Sequence, residues 1–290
     1  MAAPVVAKPR WLRVEAPLST EFLQFRRRLQ GHGVATVCVE ANCPNIGGCW
    51  RGGSAAFMIL GTRCTRRCAF CDVETGRPDA VDAEEPQRLA ALVAEVGFSH
   101  VVLTSVDRDD LEDGGAGHFA ACIEALRALP HTPRVEVLTP DFQGRAADLE
   151  TVLRARPAVF NHNIETVSRL WPQVKPGSRF LTSLTLLAQA RRWRDAGAEV
   201  VVKSGFMLGL GETAEEVYEL LDQLRDAGVE MLTIGQYLRP SAKHHPVERY
   251  WEPEWFELLG RRAKEMGFSR VASHPLVRSS WHAGELLHDS

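Results

Sequence analysis

A parallel α/β fold is what this sequence predicts. Three observations carry the prediction. Apolar runs of strand length alternate with amphipathic stretches of helix length from residue 56 to residue 266. Glycine recurs where a helical stretch gives way to an apolar run, as in Arg194-Asp-Ala-Gly197, Arg225-Asp-Ala-Gly228, Gly97-Phe-Ser and Gly267-Phe-Ser; it tolerates the left-handed turn that closes a helix. The chain has 290 residues, enough for one large domain with a full core.

The elements follow in order. Residues 1–18 hold prolines and little periodicity and are expected to drape over the body. Residues 20–30 read as a short amphipathic helix. A loop rich in Gly, Asn and Pro spans 36–53. Ala56-Phe-Met-Ile-Leu60 predicts a buried strand. Strands are then expected at 101–104, 135–139, 157–161, 199–206 and 230–236. Helices are expected at 86–96, 117–128, 146–155, 179–196, 214–227 and 253–266. Thr213-Ala-Glu-Glu216 has the spacing of a capping box and marks one helix start. Strands this apolar, separated by helices, argue for a parallel sheet covered by helices. Six βα units suit a partial (β/α)6 barrel of the TIM type with N- and C-terminal extensions. A doubly wound open sheet satisfies the same pattern, because alternation does not decide closure. The expected parts are an extension over 1–55, the barrel over 56–272 and a second extension over 273–290, all in one structural domain. In either fold the chemistry belongs at the carboxyl ends of the strands.

Composition excludes several classes. Formal net charge is −3, with acids and bases interspersed. The Arg-Arg pairs at 66–67, 191–192 and 261–262 read as solvated faces, and nothing argues for nucleic acid. No apolar stretch approaches the roughly 18 residues that span a bilayer. The first residues do not have the form of a secretory signal. A cytoplasmic, reducing location is expected, which makes disulfides the poorer explanation of the cysteines.

Six of the seven cysteines fall in two groups: Cys38, Cys43 and Cys49, then Cys64, Cys68 and Cys71. Closely spaced cysteines in a reducing compartment more often bind metal or do redox work. Zinc prefers four closed ligands in paired Cys-x2-Cys units. Neither group has an internal fourth cysteine. Three thiolates can hold a four-iron cluster at three corners and leave one iron open. Cys122 stands alone in an apolar helical stretch and reads as a core residue.

Cys64-Thr-Arg-Arg-Cys68-Ala-Phe-Cys71 follows the first predicted strand directly and resembles the cluster loop of the radical S-adenosylmethionine (SAM) superfamily. That resemblance implies a [4Fe–4S] cluster on these three cysteines, with SAM chelating the fourth iron. Reductive cleavage of SAM there yields a 5′-deoxyadenosyl radical. An unactivated C–H bond offers no acidic proton to a base, so the cofactor carries the hard step.

Cys38-x4-Cys43-x5-Cys49, the loop above and Arg278-Ser-Ser-Trp281 together resemble the lipoyl synthase family. Asn161-His-Asn-Ile-Glu-Thr166, Lys203-Ser-Gly and Gly235-Gln-Tyr-Leu-Arg-Pro-Ser241 match as well. The resemblance implies two [4Fe–4S] clusters, the second held by Cys38, Cys43, Cys49 and a serine, carried over to Ser279 before Ser280. Read alone, Ser279 would be a hydroxyl capping the chain end. Serine oxygen is a harder donor than thiolate, so this corner is expected to be the weak one. Arg278 is expected to neutralise charge near that cluster or to bind the substrate's backbone. Asn163, Glu165, Lys203 and Ser105 are the expected SAM contacts.

The implied reaction is sulfur insertion at C6 and C8 of a protein-bound octanoyl-lysine, a sulfurtransferase activity in which the second cluster supplies the sulfur. The implied partners are octanoylated lipoyl carrier domains, namely 2-oxoacid dehydrogenase E2 subunits and the glycine cleavage H protein, with ferredoxin or flavodoxin as electron donor. An apolar channel is the expected path for the alkyl arm. Trp281 stands where the family has tyrosine, and His274-Pro275 where it has Gly-Pro. One rival is another radical SAM enzyme that inserts sulfur, which would lack the first cysteine group and Arg278-Ser-Ser. Another is a metal-binding adaptor whose clusters are structural.

Overall fold

The computed structural model describes residues 7–14, 20–40, 43, 45–46, 50, 55–281 and 283–286. Cys49 lies outside the described residues. One sheet of eight strands organises the molecule. Its strands are β1 (Ala35–Thr36), β2 (Ala56–Ile59), β3 (His100–Ser105), β4 (Arg134–Leu138), β5 (Val159–Asn161), β6 (Val201–Leu208), β7 (Met231–Gln236) and β8 (Arg270–Ser273). Spatial order equals chain order. Strands β2 to β8 are parallel, and β1 lies antiparallel on β2, with Ala35 opposite Met58.

The helices are α1 (Thr20–His32), α2 (Val37–Glu40), α3 (Glu85–Val96), α4 (Ala116–Arg127), α5 (Ala146–Arg154), α6 (Trp171–Val174), α7 (Phe180–Asp195), α8 (Ala214–Asp226), α9 (Pro253–Glu265) and α10 (Ala283–Leu286). The six βα units expected from the sequence are all present, with ends moved by one or two residues. The Thr213 hydroxyl accepts from the Glu216 N–H and the Glu216 carboxylate accepts from the Thr213 N–H, so α8 begins on the expected capping box.

Two strands of this sheet were not among those expected. β1 is two residues long. β8 is half-buried and lacks the apolar run that marks the others. Both owe their place to pairing with a strand already formed.

Side chains along a strand alternate between two faces. Phe57, Ile59, Val101, Leu103, Val135, Val137, Phe160, Val202, Leu232 and Ile234 point to the helices and join one continuous core. The alternate positions face inward. Ala56 and Val102 pack there with Cys38 and Ala283, and Val159 packs with Met231 and Val201.

The sheet curls. Helix α10 touches both β3, near one edge, and β8, at the other edge. That is possible only if the two edges approach each other, as in a partial barrel. The segment leading to α10 is tied to the carboxyl end of β7. The His274 N–H donates to the Ile234 carbonyl (3.1 Å) and the Gln236 N–H donates to the Pro275 carbonyl (3.0 Å). Gly235 makes this possible, because a Cβ there would strike the Val277 carbonyl.

Gly235→Ala therefore requires the 275–281 segment to move off the sheet. We expect a loss of about 1–3 kcal/mol, measured by denaturant unfolding, with new protease cleavage confined to that segment. Unchanged stability and protection would show that the contact does not hold the curl.

Candidate active site

The loop bearing Cys64, Cys68 and Cys71 leaves the carboxyl end of β2. It is closed at its base by a two-residue parallel ribbon, Arg63–Cys64 against Glu74–Thr75, and by a bond from the Gly76 N–H to the Cys64 carbonyl (3.0 Å). Neighbouring loops grip it. The Ala69 N–H donates to the Val174 carbonyl at the end of α6 (2.8 Å), and the His245 N–H donates to the Ala69 carbonyl (2.8 Å). His244 Nε2 meets the Cys71 carbonyl at 3.0 Å. Thr65 donates both its N–H and its hydroxyl to the Asp107 carbonyl, at 3.0 and 2.9 Å.

The three thiols share one electrostatic environment. Burial and the nearby Asp107 carboxylate push Cys64 up to about 11. Burial pushes Cys68 up to about 12, against the pull of Lys175. Burial also raises Cys71, and Glu165 and Asp107 add to the shift. These groups are protonated thiols until a cation replaces the protons. The Cys64 sulfur already accepts N–H groups from Arg66 (3.4 Å) and Asp107 (3.3 Å), which suits a thiolate. Among the described residues no three His, Cys, Asp or Glu side chains converge on a single metal-ion position. Three soft donors on one loop fit a group held at its corners, as a four-iron cluster is.

The polar groups around this loop fit a polar ligand. Ser105 Oγ, at the end of β3, and Asn163 Oδ1, just past β5, are buried without a hydrogen-bond partner. Such orphans are uncommon unless a ligand or water completes them. Glu165 has φ +62, a left-handed conformation, held by bonds to Gly205 and Met207 (3.1 and 2.9 Å). Burial raises its carboxyl, opposed by Lys175 and by the Asn163 side chain.

Lys203 is placed differently. It is the third residue of β6, fully buried inside the curl, and its Nζ lies 2.8 Å from Glu136 Oε1. Asn161 Nδ2 donates to the same oxygen at 3.1 Å, and His100 Nε2 stands 3.7 Å from Glu136 Oε2. Burial alone would raise the Glu136 carboxyl; Lys203 and His100 hold it below the ordinary value. The interior is thus polar where Lys203, Glu136, Asn161 and His100 meet, although the sequence led to the expectation of an apolar channel.

A second site lies at the opposite end of the curl. Cys38, Cys43, Asn45, Ala56, Arg278 and Ser280 line one small enclosed space, with Trp281 at its side. The Cys43 N–H donates to the Cys38 carbonyl (3.0 Å), and Asn45 Nδ2 donates to the Leu276 carbonyl, joining the cysteine loop to the C-terminal segment. Burial raises the Cys43 thiol, against the Asn45 N–H and the Arg278 cation. Arg278 Nη1 donates to the Val277 carbonyl at 2.7 Å. Ser280, not Ser279, is in the wall of this space. Two sulfurs, a hydroxyl and a cation fit an anionic iron–sulfur group. All six described cysteines are free thiols.

Strand β3 connects the two sites. Cys38 shares an apolar cluster with Val102, near the start of the strand, and Cys64 Sγ lies 3.6 Å from Asp107 Oδ2, just beyond its end. Val102 and Asp107 are five residue steps apart, on the order of 15 Å of extended chain. Lys175 and His244 belong to the loop site and carried no sequence signal. Each looks like part of a turn, in Lys175-Pro-Gly and Lys243-His-His-Pro.

A family model described as the Radical SAM superfamily matches residues 58–224, more than half of the chain. The solved structures of methylornithine synthase (PylB) and of HydG, a maturase of the [FeFe]-hydrogenase, share the fold. The first has a TM-score of 0.57 and 16% identity over 75% of this chain and 63% of that one. The second has a TM-score of 0.59 and 13% identity over 87% of this chain and 62% of that one. Much nearer in sequence are two proteins named lipoyl synthase. That of Nitrosococcus oceani is 53% identical over 277 residues, 95% of this chain and 85% of its own length. That of Xanthomonas euvesicatoria pv. vesicatoria is 52% identical over 284 residues, 97% and 83% of the two chains. The chain belongs to the lipoyl synthase family.

The interior ion pair gives a stability prediction. Lys203→Met leaves Glu136 buried without its cation and should cost about 3–5 kcal/mol. The double variant Glu136→Leu/Lys203→Met should recover most of that loss in urea unfolding. Because the folded carboxyl is lowered, its contribution is complete above the ordinary value of 4.5 and is lost as pH falls through the lowered value. The double variant should therefore have a flatter acid limb.

Proposed function

We propose that this chain inserts two sulfur atoms, at C6 and C8, into an octanoyl chain amide-linked to a lysine of a lipoyl-accepting protein. The observation that carries the reading is the pair of cysteine sites, one in the apolar cluster that includes Val102 of β3 and one beside Asp107 just beyond the end of that strand. In this reading Cys64, Cys68 and Cys71 hold a [4Fe–4S] cluster that, with SAM bound, supplies the hydrogen-abstracting radical, while a second cluster supplies sulfur. Cys38, Cys43 and Cys49 hold the second cluster.

The fourth donor there is a serine of Arg278-Ser-Ser. Ser280 is the better candidate than Ser279, because it lines the space with Cys38 and Cys43. Arg278 offsets the negative charge of that group. Ser105, Asn163 and Glu165 orient SAM at the strand ends. Lys203 acts from below, by holding Glu136 in the interior. Residues 56–272 form the barrel, with 1–55 and 273–290 as extensions that bring the second site to it.

The carrier proteins are E2 subunits of 2-oxoacid dehydrogenases and the glycine cleavage H protein, and ferredoxin or flavodoxin is the electron donor. No helix among the described residues is long and apolar enough to cross a membrane. We place the reaction in the cytoplasm, where thiols stay reduced.

An anaerobic assay with an octanoyl-lysine peptide, reductant and SAM tests the reading. Lipoyl peptide is the expected product, and its absence from a chain carrying about eight irons would reject the reading. Replacing Cys38, Cys43 and Cys49 with alanine should lower iron to about four per chain, keep SAM cleavage and abolish sulfur insertion. Replacing Cys64, Cys68 and Cys71 should abolish both activities. Ser280→Ala should impair the second cluster's spectrum and turnover more than Ser279→Ala. Zinc in place of iron would favour a structural adaptor.

A further inference from the structure

The Arg66-Arg67 pair was expected on a solvated face. Arg67 is exposed, but Arg66 is buried at 7% exposure in the middle of the loop between Cys64 and Cys68. Its guanidinium makes two forks. Nε and Nη2 donate to Asp109, each at 2.7 Å. Nη1 and Nη2 donate to Asp141 at 2.9 and 2.7 Å. Nη1 also stands 3.4 Å from Asp107 Oδ1. Asp107 and Asp109 follow β3, and Asp141 follows β4, where its carboxylate also accepts the Gln143 N–H at 3.0 Å. The backbone N–H of the same arginine points at the Cys64 sulfur (3.4 Å). One residue therefore ties a cysteine sulfur to the ends of two strands.

We infer that Arg66 is a positioning residue, whose double fork fixes the loop so that Cys64, Cys68 and Cys71 are presented together. The inference rests on the proposed role of those cysteines. Two bidentate pairs set both the place and the plane of the loop, which a single point contact cannot do. The charge matters as well. Three carboxylates meet beside Cys64, and Arg66 is the cation that bonds two of them and stands 3.4 Å from the third; without it their mutual repulsion would act to open the loop. The Asp141 carboxyl, which burial would raise, is brought down to about 2 by Arg66. Lysine would keep the charge and lose both forks.

Arg66→Lys separates geometry from charge. Iron should fall from about eight to about four per chain, with the second cluster's spectrum retained. If the first cluster persists, affinity for iron at that site or for SAM should drop about ten- to hundred-fold. Hydrogen exchange should rise in residues 62–76 and nowhere else. A merely structural role predicts a lower melting temperature with iron, SAM affinity and local exchange unchanged, and that result would overturn the inference. If Arg66→Lys fails to fold, Asp109→Asn removes one fork at the more exposed partner. It should raise exchange over the same residues, and unchanged exchange would again reject the inference. Failure of the parent chain to bind two clusters would reject the proposed function instead. Exchange in parent and variant would still decide the role of Arg66.

Discussion

The curl of one parallel sheet is the constraint on which the rest depends. A parallel sheet covered by helices on one side must still do something with its other face. Here the sheet bends that face inward, and the C-terminal segment bridges its edges. The contact between Gly235 and the Val277 carbonyl sits at the start of the bridge, and Ala283 against Ala56 and Val102 at its end. Both cysteine sites inherit their positions from this bend. One stands at the carboxyl ends of β2 and β3. The other is enclosed between the first residues of β2 and the returning C-terminal segment.

An inward face this small is not a simple apolar core. Lys203, Glu136, Asn161 and His100 meet inside it, and the first two are fully buried. Such a pair adds little net stability, because desolvating both charges offsets their attraction. It makes the interior intolerant of losing either partner. The strands stay rigid because the opposite positions, from Phe57 to Ile234, are packed under helices.

Electrostatics distinguishes the two sites. At the loop site, four carboxylates (Asp107, Asp109, Asp141 and Glu165) surround the cysteines, and Arg66 and Lys175 oppose them. The three thiols are pushed up together, so they give up their protons only when a cationic iron–sulfide core takes the protons' place. At the second site Cys43 faces Arg278, a cation that burial itself disfavours. A negatively charged group bound there would compensate Arg278. The serine beside it is brought in by the same segment.

The sequence by itself determined the strands β2 to β7, the long helix that follows each of them, the capping box at Thr213 and the two cysteine groups. All are local signals: period, glycine stops and spacing. It did not reveal β8, whose half-buried residues form a strand only because β7 offers an edge. It could not separate Arg66 from Arg67, since neighbours of one type carry one local signal. Lys203 read as a strand-end ligand, yet its partner Glu136 is 67 residues away and inside the curl. Arg66 and Asp141 are 75 residues apart. Which of two adjacent side chains is buried, and against what, was decided by tertiary structure alone, because those partners come from strands that meet only after the sheet has formed and bent.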